Sequence, residues 1–189
     1  MTEAPSYRRL RDPRELAALA HPVRIGIMEL LAVAGPLTAT ELADRLDETP
    51  ANCSWHLRKL AEHELIEEAE GGTGRQRPWQ MRKVGLSWGA ADAEVDEKRA
   101  GDALTRVMLQ RWTDRFLDAA ERAEGEWREA ASVSQTMGYL TAEELEEVNR
   151  KVTEMIRGFE DRIEDADRRP EGSRLVELVA FASAIEVAP

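Results

Sequence analysis

Residues 49–60 are TPANCSWHLRKL, and within them four consecutive positions hold the single cysteine of the chain, Cys53, followed by Ser54, Trp55 and His56. Either this is a chemical centre or it is a helix with two differently dressed faces. Thr49 is a favoured N-cap residue and Pro50 fits the first helical position, so a helix opening here is predicted. At 100° per residue, Cys53, Leu57 and Leu60 share one side, with His56 at its edge. Ala51, Ser54, Trp55 and Arg58 fall on the opposite side, flanked by Asn52 and Lys59. The apolar side must face a core, which places Cys53 there as a small hydrophobe. A buried thiol has a raised pKa and no access, so a nucleophilic role is not expected. His21 and His63 lie on other elements with no thiol or carboxylate cluster at ligand spacing, so no metal site and no cofactor are expected.

On the N-terminal side, residues 12–46 are DPRELAALAHPVRIGIMELLAVAGPLTATELADRL. Asp12 can cap a helix with Pro13 at its first position, burying Leu16, Leu19 and Ala20. His21-Pro22 marks a boundary, because the residue before proline is pushed out of the α region. A second helix from Pro22 buries Val23, Ile27, Leu30 and Leu31 and ends at Gly35-Pro36. A third opens at Thr38 or Thr40 and buries Leu42, Ala43 and Leu46.

On the C-terminal side, IEEAEGGTGRQRPWQMRKV gives two short runs around a glycine-rich tip, the pattern of a β-hairpin. Helices followed by a hairpin with a basic tip describe a winged helix-turn-helix. Small Ala51 and Ser54 allow close approach of the helix start to a groove floor. Asn52 suits adenine, Arg58 guanine or phosphate, and Trp55 a thymine methyl or sugar. The plainer role for Trp55 is packing against a neighbouring element. Arg75, Gln76 and Arg77 sit at the tip, where a minor groove or phosphates would lie; the alternative is a solvated loop. Arg8, Arg9, Arg11 and Arg14 would add phosphate contacts or be solvated.

From about residue 94 the pattern lengthens. Leu104, Met108, Trp112, Phe116, Ala119, Ala123 and Trp127 recur every three or four residues as one stripe, interrupted by Gly138 and Tyr139. Thr141 with Glu144 forms a capping-box pattern, followed by Leu145, Val148, Val152, Ile156, Phe159 and Ile163 at near-heptad spacing. The final RLVELVAFASAIEV is predicted as a strand, with a helix as the lesser option. The fold class is therefore mainly α (α+β), in two domains: residues 10–90, a winged helix-turn-helix, and residues 94–189, a helical dimerisation region. About 90 residues bury two lone amphipathic helices poorly, so pairing with a second copy is favoured over an intrachain lid. Leu104, Met108, Trp112, Phe116, Val152, Ile156 and Phe159 are the candidate dimer residues.

Bulk composition fits this partition. The 189 residues are 42% hydrophobic and carry a net charge of −11. Residues 1–91 hold 12 basic and 13 acidic residues, and residues 92–189 hold 14 and 24, so the excess acid is in the second half. Within 71–83, Arg75, Arg77, Arg82 and Lys83 face no acidic neighbour in sequence. With no membrane-length apolar run, no signal-like N-terminus and one cysteine, a cytoplasmic location is expected.

LAALAHPVRIGIMELL, TATELADRL, SWHLRKLAEHELIEE and the wing GTGRQRPW together resemble the ArsR-type winged-helix transcriptional regulators across roughly residues 12–88. The resemblance implies a dimeric, sequence-specific DNA-binding protein. It assigns base contacts to Pro50, Ala51, Ser54 and Trp55, and wing contacts to Arg75 and Arg77. Many such regulators sense metals through Cys or His, which ELADRL and the C-terminal helices lack. The C-terminal half exceeds the usual family length, and its aromatic-lined helices could enclose a small apolar effector.

The expected function is thus a transcriptional regulator, a repressor acting as a homodimer on a palindromic operator. The alternative is a protein-interaction module that keeps the winged-helix scaffold and recruits a partner through its acidic helices. An enzyme is not expected, since no paired carboxylates, nucleophile triad or phosphate-cradling loop stands at usable spacing.

Overall fold

A computed structural model describes residues 8–71, 77–82, 86–89 and 92–186. Each helix start follows from a local signal. Helix α1, Pro13–Leu19, is capped by Asp12, whose carboxylate accepts from the Arg14 amide at 2.8 Å. Helix α2, Pro22–Ala34, begins at His21, whose Nδ1 accepts from the Val23 amide at 3.2 Å. The two helices turn by 85° at this junction. Thr38 and Glu41 form a reciprocal capping box for α3, Ala39–Leu46, and Thr49 Oγ1 accepts from the Asn52 amide at 3.2 Å to start α4, Pro50–Glu62. Asp47 supplies the left-handed residue, φ 54°, between α3 and α4.

Three short pairings frame these helices. Strand β1 is Arg8–Arg9, β2 Ile66–Glu68, β3 Trp79–Met81 and β4 Leu86–Ser87. Antiparallel β2 and β3 form the hairpin wing, in register Ile66 to Met81 and Glu68 to Trp79. Leu37 adds a bridge to Trp79, with N–H to O distances of 3.0 and 2.8 Å, which ties the start of α3 to the first residue of β3. Parallel β1 and β4 join the beginning of the chain to the exit of the wing.

The core is built from one face of each helix. Leu16 and Leu19, Ile25, Ile27 and Leu31, Leu42 and Ala43, and Cys53, Leu57 and Leu60 meet Leu10, Leu37, Leu65 and Ile66. Helix α5, Val95–Arg122, contributes as well, since Leu104 is only 1% exposed in this same core. Glu29 on α2 accepts from both Arg111 and Arg115 of α5 at 2.7 Å. The chain divides into two compact units, one ending at Arg115 and the other beginning at Phe116.

The second unit contains the end of α5, then α6, Glu126–Ala130, α7, Ala142–Arg157, and α8, Asp161–Glu164, followed by a 3-10 turn at Ala166–Arg168. The Thr141 and Glu144 capping box of α7 is present. Two expectations are corrected here. The apolar stripe does not run on one helix to Trp127: α5 ends at Arg122, Ala123 lies beyond it, and Trp127 stands on α6, which opens after Gly125 at φ 55°. Helix α7 stops at Arg157 with Gly158 as its C-cap, so Phe159 stands in a turn and not on the α7 stripe.

The terminal strand is also absent. Residues 173–186 adopt neither strand nor helix. A strand needs hydrogen-bonding partners along its edge, and the described residues of the second unit contain no other strand to supply them. The architecture is thus mostly helical, with a hairpin wing after the helix-turn-helix and further helices beyond it. Among the described residues, no single helix is long and apolar enough to cross a membrane.

Candidate nucleic-acid interface

Helix α4 displays the two faces that its sequence requires. Cys53, Leu57 and Leu60 are fully buried against α2 and α3. Burial, then the nearby Glu48 carboxylate, pushes the Cys53 thiol above its ordinary pKa, so it stays protonated and serves as packing. His56 goes deeper than an edge position: it is 3% exposed, its ring lies 4.6 Å from that of His21, and Nδ1 finds no partner among the described residues. Burial first, and then His21 and Arg24, push His56 below the usual imidazole range. His21 is lowered too, by burial and then by Arg24. Both rings are therefore neutral near pH 7.

The opposite face carries the recognition candidates. Pro50, Ala51 and Arg58 are exposed, and Trp55 is 46% exposed with its ring set edge-on to His56 at 4.8 Å. Trp55 is thus half packed against its own helix and half offered to solvent. Ser54 Oγ donates to the Pro50 carbonyl at 2.7 Å, so its hydroxyl proton is held by its own helix while its lone pairs remain. Asn52 Nδ2 donates to Glu48 Oε2 at 2.8 Å, and Lys59 pairs with Glu62 at 2.7 Å. Arg77, at the described end of the wing tip, pairs with Glu68 on β2 at 2.6 Å. Arg75 and Gln76 lie outside the described residues.

Carboxylates therefore shadow three of the basic or amide groups on this surface. Glu48, Glu62 and Glu68 were not singled out from sequence, although i to i+4 or i+3 spacing to Asn52 and Lys59 was there to be seen. Such exposed pairs are weak and exchange readily when a phosphate approaches.

Two of the four N-terminal arginines, Arg8 and Arg11, have structural partners instead of a free approach to phosphates. Arg8 is paired with Glu15 and donates to the carbonyls of His63 and Glu64 at 3.1 and 2.8 Å, closing the C-terminal end of α4. Arg11 is paired with Asp92 at 2.7 Å. Leu104 likewise leaves the candidate dimer set, because its surface is already buried inside its own chain, and Met108 packs against the same core. Trp112 is half-buried and Phe116 exposed on α5, while Val152 and Ile156 of α7 are half-buried and Phe159 exposed. Phe116 also lines a shallow depression with Ala120, Ala123, Arg128 and Val133.

No group of three or more His, Cys, Asp or Glu side chains suited to a metal ion occurs among the described residues. No single helix placed the wing and α4 by itself; what brings them together is the Leu37–Trp79 bridge and the continuation of α4 into β2 through Leu65 and Ile66.

Residues 19–69 match the family described as a helix-turn-helix domain, a span that runs from the end of α1 through β2. Among curated proteins, none matches the chain. Solved structures similar to it include reduced HlyU from Vibrio cholerae, 20% identical over 50% of this chain and 84% of that one, with a TM-score of 0.32. A ZitR mutant from Lactococcus lactis is 17% identical over 73% of this chain and 74% of its own, TM-score 0.33. A transcriptional regulator homologue from Pyrococcus horikoshii is 24% identical over 50% and 87%, TM-score 0.32.

Proposed function

We propose that this chain is a sequence-specific, DNA-binding transcriptional regulator of the ArsR type, a repressor that binds a palindromic operator as a homodimer. The observation that carries this reading is the exposed face of α4, set on a helix-turn-helix and followed directly by a hairpin wing. A helix of this kind enters a major groove with its first turns against base edges. Pro50, Ala51, Ser54 and Trp55 would meet those edges, Asn52 would take adenine once released from Glu48, and Arg58 guanine or phosphate. Lys59, Arg75, Gln76 and Arg77 would hold the backbone and the adjacent minor groove.

Pairing of two copies presents two such helices to the two half-sites of a palindrome. Trp112, Phe116, Val152, Ile156 and Phe159 are the residues assigned to it. The depression beside Phe116 is the place assigned to a small apolar effector, whose binding would shift the equilibrium between copies or between DNA-competent shapes.

The deciding experiment is selection of duplexes from a random pool by the purified full-length protein, followed by titration at several salt concentrations. The expected outcome is enrichment of an inverted repeat and an affinity that falls steeply with salt. If no duplex is bound more tightly than bulk DNA at low salt, the proposal fails. The second reading, a protein-interaction module, is favoured by the carboxylates of Glu48, Glu62 and Glu68 that occupy the polar groups of the face.

A further inference from the structure

The tail of the chain is the largest apolar feature that the fold leaves open. In residues 174–186, RLVELVAFASAIE, the side chains of Leu175, Val176, Leu178, Val179, Phe181 and Ile185 are all exposed, Phe181 to 80%. The segment has no strand or helix of its own, and the described part of its unit has no other strand to receive it. An apolar segment that lies outside any helix or sheet of its own is a template for pairing with another chain.

We propose that residues 174–186 pair as an antiparallel strand with the same segment of a second copy of this chain, centred on Ala180. This inference rests on the homodimer reading and specifies where its two copies join. The argument is the self-complementarity of the segment. In an antiparallel pair centred on Ala180, opposed positions sum to 360. Arg174 of one copy then faces Glu186 of the other, once at each end of the ribbon. Leu175 faces Ile185, Val179 faces Phe181, and Glu177 faces Ser183, so no like charges oppose each other. Val176, Leu178 and the three alanines at 180, 182 and 184 share the other face with Arg174 and Glu186, which stand at its two ends. Moving the centre to residue 181 sets Val176 opposite Glu186, and moving it to 179 sets Ala184 opposite Arg174 and Gly172 opposite Glu186, so the charge pair is lost either way.

Arg174 is already held at one end. Its guanidinium carbon lies 5.0 Å from the centroid of the Trp127 ring, a cation–π contact. The pairing would satisfy the inward-facing half of the backbone N–H and C=O groups of residues 174–186 in each copy and bring their exposed apolar side chains into cross-strand contact.

Cross-linking of the full-length chain tests the register. Directly opposed residues in an antiparallel pair have Cα atoms about 4.5–5.5 Å apart, within the range of a disulfide. The native Cys53 is buried, so the wild type serves as a silent control. Mild oxidation of Ala180→Cys is expected to give a disulfide-linked dimer. Val176→Cys alone should give none, since its two copies would lie about 27 Å apart along the ribbon. A mixture of Val176→Cys with Ala184→Cys should link again. Mass in solution and selective duplex binding are measured on the same samples. A dimer in which Ala180→Cys stays unlinked, or in which Val176→Cys links to itself as readily, overturns the strand pair and leaves the homodimer reading standing. A monomer at micromolar concentration overturns both.

Discussion

The His56 ring packs 4.6 Å from that of His21, so the helix that carries the recognition face is fastened to the start of α2 by two neutral imidazoles. Both have pKa values depressed below the ordinary 6.5, chiefly by burial. The groups that face them are Arg24, whose own pKa is lowered by burial, and the Glu48 carboxylate, which works in the opposite direction. A histidine with a depressed folded pKa binds its proton more readily in the unfolded chain, so stability falls as pH drops below about 6.5 and levels off below the folded pKa values. Urea denaturation between pH 8 and pH 5 should show this loss. His56→Gln together with His21→Asn should flatten the dependence, and an unchanged slope in that double variant would exclude the pair as its source.

Thr49 starts α4 with one hydrogen bond to the Asn52 amide. Thr49→Ala should cost about 0.5–2 kcal/mol of stability, whereas Thr49→Ser should cost little because the oxygen is kept. Chemical denaturation separates the two, and equal losses in both variants would show that the cap bond contributes nothing.

Leu57 and Trp55 stand on opposite faces of one helix and should fail in different ways. Leu57→Ala opens a cavity in the core and should cost about 2–5 kcal/mol. Trp55→Ala should leave the fold in place, with a cost of about 1 kcal/mol or less, yet change which duplexes are selected. Thermal melts paired with sequence selection read both effects. A Trp55→Ala protein with unaltered base preference would remove Trp55 from the interface.

Arg77 is engaged by Glu68, so freeing it should favour phosphate. Glu68→Gln is expected to tighten duplex binding several-fold at low salt and to steepen the salt dependence by about one unit, with Arg77→Ala doing the reverse. Fluorescence anisotropy over a salt series measures both, and identical slopes in the two variants would argue that the wing does not touch the backbone.

The helix-turn-helix was legible from sequence because its boundaries rest on local chemistry. Asp12, His21-Pro22 and Thr49-Pro50 each act within a turn and appear where expected, and of the two openings left for α3, Thr38 and Thr40, it is Thr38 that caps, with Glu41 completing a box not named from the sequence. The division of α4 into an apolar and a polar side followed from helical spacing alone. What escaped notice depends on long-range pairing. Two-residue strands such as β1 and β4 have no periodicity to detect, and nothing near Arg8 in sequence points to the carbonyls of His63 and Glu64. The stripe of α5 was visible, but not that Leu104 serves the first core, nor that the helix ends at Arg122, before Ala123 and Trp127. The β-branched and apolar content of the tail makes a strand only where a partner strand exists, and the described residues of the second unit contain none.

The change in composition near residue 90 suggests a natural place to cut, yet Leu104 seals the core from beyond it and Arg111 and Arg115 anchor to Glu29. At the other end, Leu10 is wholly buried and Arg8 latches the end of α4. An autonomous DNA-reading fragment would have to span both fastenings, from before Arg8 through Arg115. Anything shorter would be judged a poor binder when it was only a poorly closed one.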